Sequence, residues 1–299
     1  MSIDRSATDG DRLTKEIRRT AHCVSLNHLA WRPHVSGNTQ DDICSQCLIR
    51  GAAGFSVSTI ANAMQLSSID VASIFVSLPP AFSELKTIGS VQKSTSLLLT
   101  IDHFVQAEAV ADHSSSCPTE QQVVILLQGD QAGPGIRPGL DALRLAQGIN
   151  RVPGIRVVGL SATLTNDCNT QPAIKSAAHT QTMLRSSGID CDFISISGSV
   201  DLLPTHRTIV TEIRTPHFMQ TFPITPPLEE HKAEVISRPS LAIAIINIAH
   251  ASISTYESLH LPEFPNAELS PGPDGCCVVV TNGNARQLKI GDMVQIALR

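Results

Sequence analysis

The sequence predicts an α/β protein: a (β/α)8 barrel of parallel strands followed by a small C-terminal β domain. From about residue 20 to residue 200, short apolar segments alternate with helical segments of roughly 10 to 17 residues, the pattern of repeated βα units. The number of such units fits a closed barrel better than an open, doubly wound sheet. From about residue 220 onward, prolines interrupt short β-rich segments, which indicates a separate all-β unit.

The elements of the barrel follow in order. Leu13, Ile17 and Val24 are spaced as on one face of an amphipathic helix that precedes the first strand. The predicted strands are then RPHV, GFSVS, SIFVS, LLLTI, VVILL, RVVGL and DFISI, with RTIVTEIR at 207–214 as the eighth. The segments TQDDICSQCLIRGA, AFSELKTIGSVQK, GLDALRLAQGINRV and PAIKSAAHTQTMLRSSG are among the helices predicted between them. We expect the barrel to cover residues 13–219 and the β domain to cover residues 220–299. Packing of residues 1–12 on the β domain is one arrangement compatible with the sequence.

Composition argues against several classes of partner. The net charge is −5, from 22 basic and 27 acidic residues, and no basic block of the kind that binds nucleic acid is present. The longest apolar run, LAIAIINIAH, is about half the roughly 20 residues that a membrane span requires. The polar N-terminus does not resemble a secretory signal, so we expect a cytoplasmic protein with reduced cysteines. Cys44 and Cys47 are interpreted as thiols packed on a helix, because no second pair stands at a zinc-ribbon distance.

Six segments in a fixed order carry a resemblance to a known family. They are RPHV at 32–35, LIRGAAGFSVSTIANAMQL at 48–66, PGLDALRLAQGINRVPGIRVVGL at 138–160, ISISGS at 194–199, TEIR at 211–214 and LKIGDMV at 288–294. Together they resemble the D-threonine aldolase and D-serine dehydratase group of fold-type III pyridoxal-phosphate enzymes. The resemblance implies an alanine-racemase-type barrel, a β domain and lyase chemistry on D-amino acids.

The chain departs from this family where the chemistry needs side chains. Such enzymes hold pyridoxal phosphate as a lysine imine, and Ser36 stands at the position of that lysine. The resemblance also implies an arginine beside the cofactor ring, a tyrosine and a histidine after the sixth strand, and a tyrosine after the eighth; these positions hold Gly133, Thr163, Asn166 and Phe218. The metal-binding segments of the family correspond to SPGPDG at 270–275, to Asn247 and to the terminal QIALR, so no metal is expected.

The candidate cofactor site that remains consists of His34, Ser197, Gly198 and Ser199. Backbone N–H groups in a strand-to-helix turn such as Ser197–Ser199 favour a phosphate dianion, although an ordinary loop would have the same sequence. His34 follows the first strand and either lines the cofactor pocket or is a hydrogen-bonded core histidine. If pyridoxal phosphate binds at all, we expect it to bind only noncovalently.

Three functions are compatible with this pattern. The first is a catalytically impaired or inactive homologue of the lyases, and the second is an active lyase or racemase on D-serine or D-threonine with a relocated base. The third is a noncatalytic subunit that binds an amino acid or a phosphorylated ligand, as a homodimer or together with an active paralogue. A decayed reading frame is a further alternative. A hydrolase using Ser36, His34 and Asp41 is disfavoured because the chain lacks a Gly-x-Ser-x-Gly elbow.

Overall fold

The computed structural model describes residues 5–35, 41–66, 69–114, 119–129, 131–164, 171–202, 209–215, 231–248, 259–272, 277–282 and 286–298. Within these ranges the chain forms two sheets, one of eight strands and one of six. The boundary expected near residue 219 falls in a range that is not described. The expected extent of each domain and the packing of residues 1–12 therefore stay predictions.

The first sheet is the predicted parallel barrel. Its strands are β1 (Ala30–Pro33), β2 (Phe55–Val57), β3 (Ser73–Val76), β4 (Ser96–Ile101), β5 (Gln121–Leu126), β6 (Ile155–Thr163), β7 (Phe193–Ser197) and β8 (Glu212–Thr215). From β2 to β8 each strand pairs in parallel with the next, and β8 pairs in parallel with β1. Isolated bridges from Trp31 to Ala52 and from His34 to Ser56 join β1 to the β2 segment and close the barrel.

Helices alternate with these strands. They are α1 (Arg5–Leu26), α2 (Asp41–Ile49), α3 (Ile60–Leu66), α4 (Ile88–Val91), α5 (Phe104–Ser114), α6 (Leu140–Ile149) and α7 (Gln171–Ser186). The segment AFSELKTIGSVQK differs from the single helix predicted, because it forms a 3₁₀ helix, Phe82–Thr87, followed by the short α4. The Thr87 hydroxyl donates to the Glu84 carbonyl at 2.7 Å, which competes with continuous α-helical bonding at this point.

The barrel interior contains both apolar and polar side chains. Phe75, Leu98 and Val124 form one buried cluster, and the ring of Phe193 lies 6.4 Å from that of Phe75 between centroids. Buried arginine, glutamate and serine side chains come from β1 and from β6 to β8: Arg32, Ser161, Ser195, Glu212 and Arg214. The two groups meet where the Arg214 guanidinium lies 4.4 Å from the centroid of the Phe75 ring.

The Arg32 side chain connects three strands inside the barrel. Its Nε donates to Glu212 Oε2 at 2.9 Å, and Nη1 donates to the Ser73 carbonyl and hydroxyl, both at 3.1 Å. The hydroxyl of Ser195 donates to the other Glu212 oxygen at 2.7 Å. Both charged side chains are buried, so these bonds replace water that the folded chain excludes.

The second sheet is the predicted β domain. Its antiparallel strands are β9 (His231–Ser240), β10 (Ile243–Ile246), β11 (Leu259–His260), β12 (Glu268–Pro271), β13 (Val278–Thr281) and β14 (Met293–Leu298), in the spatial order β11-β14-β9-β10-β13-β12. Alternate residues of β9 and β10 face its own core, among them Ala233, Val235, Ala244 and Ile246. The intervening residues Ile236 and Ile245 pack with Leu78 and Ala81, which follow β3. The β domain thus covers the barrel beyond the carboxyl end of β3.

Candidate functional site

The predicted site residues lie at the carboxyl ends of the barrel strands, where catalytic residues of this architecture are found. His34 follows β1 and Gly198 follows β7, and these two strands flank β8. The His34 N–H donates to the Thr215 carbonyl at 2.9 Å, and the Gly198 N–H donates to the Arg214 carbonyl at 3.0 Å. The structure therefore brings both predicted segments to the same side of the barrel mouth.

The imidazole of His34 lies between two serine hydroxyls. Nδ1 is 3.1 Å from Ser56 Oγ, and Nε2 is 3.2 Å from Ser58 Oγ. Ser56 is fully buried, whereas His34 and Ser58 are half-buried. In a neutral imidazole, one ring nitrogen donates and the other accepts, and a hydroxyl can meet either need. His34 is thus both a hydrogen-bonded histidine and a residue at the mouth, so the two readings made from sequence are compatible.

The turn after β7 offers an anion fewer donors than the sequence pattern suggests. The Gly198 N–H is already bonded to Arg214, and the Asp201 N–H donates to Ser199 Oγ at 3.3 Å. The Asp201 carboxylate lies 3.4 Å from the same hydroxyl and pairs with Arg19 of α1 at 2.8 Å. A phosphate here would be held by the Ser197 and Ser199 hydroxyls and by N–H groups beyond Gly198.

No lysine of the chain lies in the barrel interior. All six are described and all are exposed, on helices, on turns or on the β domain: Lys15, Lys86, Lys93, Lys175, Lys232 and Lys289. Ser36, at the lysine position of the family, lies outside the described residues, directly after Val35. The side chains present therefore do not fit a cofactor held as a lysine imine.

Some of the other positions assigned through the family resemblance lie within the described residues, and others do not. Gly133 is buried in the loop after β5, and Thr163 is the last residue of β6. Asn247 has a structural contact, because its Oδ1 accepts the Glu234 N–H at 2.7 Å across β9 and β10. Asn166, Phe218 and residues 273–275 of the SPGPDG segment lie outside the described residues.

Metal ligation finds no support in the part of the chain that the structure describes. No group of three or more His, Cys, Asp or Glu side chains is close enough there to hold an ion. Cys44 and Cys47 are buried, and burial raises the pKa of the Cys44 thiol to about 11 and that of Cys47 to about 12. Both thiols are therefore packed in the protein interior, as interpreted from the sequence.

Sequence reasoning missed a group of polar residues where the β domain meets the barrel. Asp102, the residue after β4, is buried and accepts bonds from Gln106, Gly135 and Ser237. Burial raises the pKa of Asp102, and these three bonds act in the opposite direction. The sequence signal that could have identified this site is an Asp directly after an apolar strand. The partners Gly135 and Ser237 lie 33 and 135 positions from Asp102, so the sequence alone did not reveal them.

Comparison with known proteins agrees with the fold. Residues 41–215 match the family model "Alanine racemase, N-terminal domain". Over 231 residues the chain is 24% identical to D-threo-3-hydroxyaspartate dehydratase of Delftia sp. strain HT23, covering 72% of this chain and 60% of that protein. The match thus spans less than two thirds of the relative's length.

Solved structures resemble both sheets together. D-threonine aldolase from Filomicrobium marinum superposes with a TM-score of 0.62 at 16% identity, covering 96% of this chain and 84% of that one. Alanine racemase of Clostridium difficile 630 gives a TM-score of 0.58 at 11% identity, covering 93% and 83%. At these identities the structures support the fold alone.

A parallel barrel with polar strand ends and an antiparallel β domain defines the alanine-racemase-type class of fold. The chain belongs to the alanine racemase N-terminal domain family, whose enzymes depend on pyridoxal phosphate. Among the described residues, no helix combines the length and apolar character needed to cross a membrane.

Proposed function

We propose that this protein is a member of the D-threonine aldolase and D-serine dehydratase lineage that does not catalyse lyase chemistry and instead binds its ligand noncovalently at the barrel mouth. The observation that carries the proposal is the exposure of all six lysines. Transimination from a lysine imine delivers the amino acid to the cofactor, and lysines exposed on helices, on turns and on the β domain do not supply that imine inside the barrel.

Two further positions support loss of the reaction. The buried Gly133 has no side chain to influence a cofactor ring, and Thr163 carries no phenol or imidazole for proton transfer. Both positions were assigned through the family resemblance, so they support the lysine argument without replacing it. In the described part of the chain, no cluster of ligands is available to orient a substrate hydroxyl through a metal.

The proposed ligand is an anion of the pyridoxal phosphate type. His34 and Ser58 present polar atoms on one side of the mouth, and Ser197, the last residue of β7, and Ser199 carry hydroxyls on the same side. Because the Gly198 N–H is bonded to Arg214 and the Asp201 carboxylate is close, we expect weak phosphate binding that depends on the serine hydroxyls.

The test is to incubate the purified protein with pyridoxal phosphate, reduce it with borohydride and map any adduct by peptide mass spectrometry. We expect no visible imine band and no adduct at a residue of the barrel interior. Inorganic phosphate should compete with any bound cofactor, and Ser199→Ala should weaken binding. Ser96→Ala is the matched control, because Ser96 is exposed at the opposite end of the barrel. A stable imine that maps to one lysine would overturn the proposal and favour an active enzyme with a relocated anchor.

The proposal extends to the cellular location and the oligomeric state of the protein. We propose a cytosolic protein that works as a homodimer or pairs with an active paralogue, since barrels of this type often place their sites near a subunit boundary. Light scattering of the purified chain checks the first arrangement. A strictly monomeric mass at high concentration, without a co-purifying paralogue, would contradict this part of the proposal.

A further inference from the structure

The Asp102 carboxylate connects the β domain with the mouth of the barrel. Asp102 directly follows β4, and its side chain binds donors from three elements. Oδ1 accepts Gln106 Nε2 of α5 at 2.7 Å, while Oδ2 accepts the Gly135 N–H of the loop after β5 at 2.7 Å and the Ser237 hydroxyl of β9 at 2.5 Å. Asp102 is thus bonded to its own helix, to a mouth loop and to the second domain.

Gln106 supplies a second connection across the same boundary. Its Oε1 accepts the N–H groups of Asp102 and His103 at 2.8 and 3.0 Å, which places it at the start of α5. Its Nε2 donates both to Asp102 and to the Ile236 carbonyl of β9, the latter at 2.8 Å. Because the side chain is fully buried, each of these bonds replaces a contact with water.

The bonding pattern requires a carboxyl group at position 102. An asparagine in place of Asp102 could turn its oxygen toward Gln106, but its amide would then face the Gly135 N–H, donor against donor. In the other orientation, the amide would face Gln106 Nε2. Either way one buried N–H loses its acceptor, which is costly inside a protein.

The loop that Asp102 holds belongs to the mouth. Residues 131–136 follow β5 and include Gly133, the position that the family resemblance assigns to the cofactor ring. Gly135 has φ +130°, and a Cβ added there would lie 2.6 Å from the Gln128 N atom, so only glycine fits at this point of the loop. The N–H of this glycine donates the hydrogen bond that Asp102 accepts.

We propose that Asp102 is a positioning residue through which the β domain sets the loop 131–136 and hence the shape of the barrel mouth. The importance of that loop for ligand binding rests on the proposed function, whereas the mechanical connection does not. Removing the Ser237 hydroxyl on the β domain should therefore loosen the barrel loop to which Ser237 is connected through Asp102.

Hydrogen–deuterium exchange on the full chain tests the connection without any ligand. We expect Ser237→Ala to raise exchange in peptides covering residues 131–139 as well as in those covering β9. Asp102→Asn should do the same more strongly, and Ser237→Ala keeps the test valid if Asp102→Asn fails to fold. The matched controls are Ser270→Ala, an exposed serine of the β domain, and Glu108→Gln, an exposed carboxylate of α5. The proposal is overturned if exchange rises only within the β domain, or if the controls raise loop exchange equally.

A binding measurement then separates this inference from the proposed function. If the wild type binds pyridoxal phosphate noncovalently, Ser237→Ala should weaken that binding by about two- to thirtyfold, the range for mutations that couple two sites without touching the ligand. Unchanged affinity despite a loosened loop would overturn the role of the loop at the mouth. If the wild type forms a lysine imine instead, the proposed function fails, and the exchange result still decides the role of Asp102.

Discussion

Arg32 lies on β1, the strand that His34 follows, and links it to β8 and β3 inside the barrel. Its side chain is buried and contacts Glu212 of β8 and Ser73 of β3, although these strands are not neighbours of each other in the sheet. Taking both charges out of water is costly, and the attraction between them offsets that cost only while both are present. Loss of one partner is therefore more damaging than loss of the pair.

We expect Arg32→Met to destabilise the protein by about 3–5 kcal/mol, because it leaves the Glu212 carboxylate buried without its cation. The double variant Arg32→Met, Glu212→Gln should recover a large part of that loss, since the amide can still accept the Ser195 hydroxyl. Urea unfolding followed by circular dichroism gives the free energies. Arg185→Met is the control, because the Arg185–Asp192 pair is half or more exposed and should contribute less than about 1 kcal/mol. Equal losses of unfolding free energy in Arg32→Met and Arg185→Met would contradict this account.

Single positions of the site were predictable only where a local motif carried them. His34 and Ser36 stand in RPHVS, and Ser197 to Ser199 stand in ISISGS, so a short segment was enough to nominate them. The long-range polar pairs of the barrel were not predictable, because Glu212 is 180 positions from its partner Arg32 and Ser237 is 135 positions from its partner Asp102. The commitment of the Gly198 N–H to Arg214 was likewise invisible, since it depends on the pairing of β7 with β8.

At the scale of elements, β9 determines the start of the 3₁₀ helix Phe82–Thr87. Glu234 of β9 accepts the Phe82 N–H at 2.5 Å and the Ser83 N–H at 3.2 Å, so a strand of one domain caps a helix of the other. Glu84 within that helix accepts the Ile60 N–H of α3 at 3.0 Å. The predicted single helix was replaced by two short pieces because these tertiary contacts, absent from the local sequence, fix its first turn.

Glu84 should make this junction sensitive to pH. Burial raises the pKa of Glu84, its bonds to the Ile60 and Ala61 N–H groups act in the opposite direction, and the nearby Glu234 raises it further. A raised carboxyl pKa means that the folded state binds the proton more tightly than the unfolded state. The stability that protonated Glu84 contributes is therefore complete below the unfolded value of about 4.3, and it is lost as pH rises through the folded pKa.

Glu84→Gln should consequently gain stability relative to the wild type as pH is raised from about 4.3 toward neutrality, since its amide stays uncharged and still accepts the Ile60 N–H. Thermal unfolding at a series of pH values measures the difference. Glu108→Gln removes one exposed negative charge from α5 and controls for the change in net charge. A difference between wild type and Glu84→Gln that stays constant across this range would contradict the assignment.

For the whole molecule, periodicity was sufficient to predict the architecture and insufficient to predict how its parts meet. The alternation of apolar and helical segments identified all eight barrel strands, because a buried parallel strand is a continuous apolar run. The eighth strand, proposed at 207–214, was found at Glu212–Thr215. The side of the barrel that the β domain covers depends on contacts such as Ile236 with Leu78, which no local pattern encodes.

Restoring a cofactor lysine at position 36 tests whether the rest of the barrel mouth is intact. Ser36→Lys puts an amine at the sequence position where the family resemblance expects the cofactor lysine, two residues after His34. If the lineage is correct, this variant should form a borohydride-trappable adduct with pyridoxal phosphate at residue 36. Ser36→Arg adds the same charge without an amine that can form an imine, so it should give no adduct.

We expect that Ser36→Lys will still release neither ammonia from D-serine nor glycine from D-threonine above the background. A missing acid–base group costs about 10²–10⁴-fold in rate, and Thr163 supplies none; Gly133 has no side chain to influence the cofactor ring. The assay is run with and without added divalent metal, because the described residues hold no metal-binding cluster. Metal-dependent turnover by Ser36→Lys, but not by Ser36→Arg, would mean that the remaining groups of the reaction are present in the chain. The protein would then be one substitution away from an active lyase, and the proposal of a noncatalytic family member would fail.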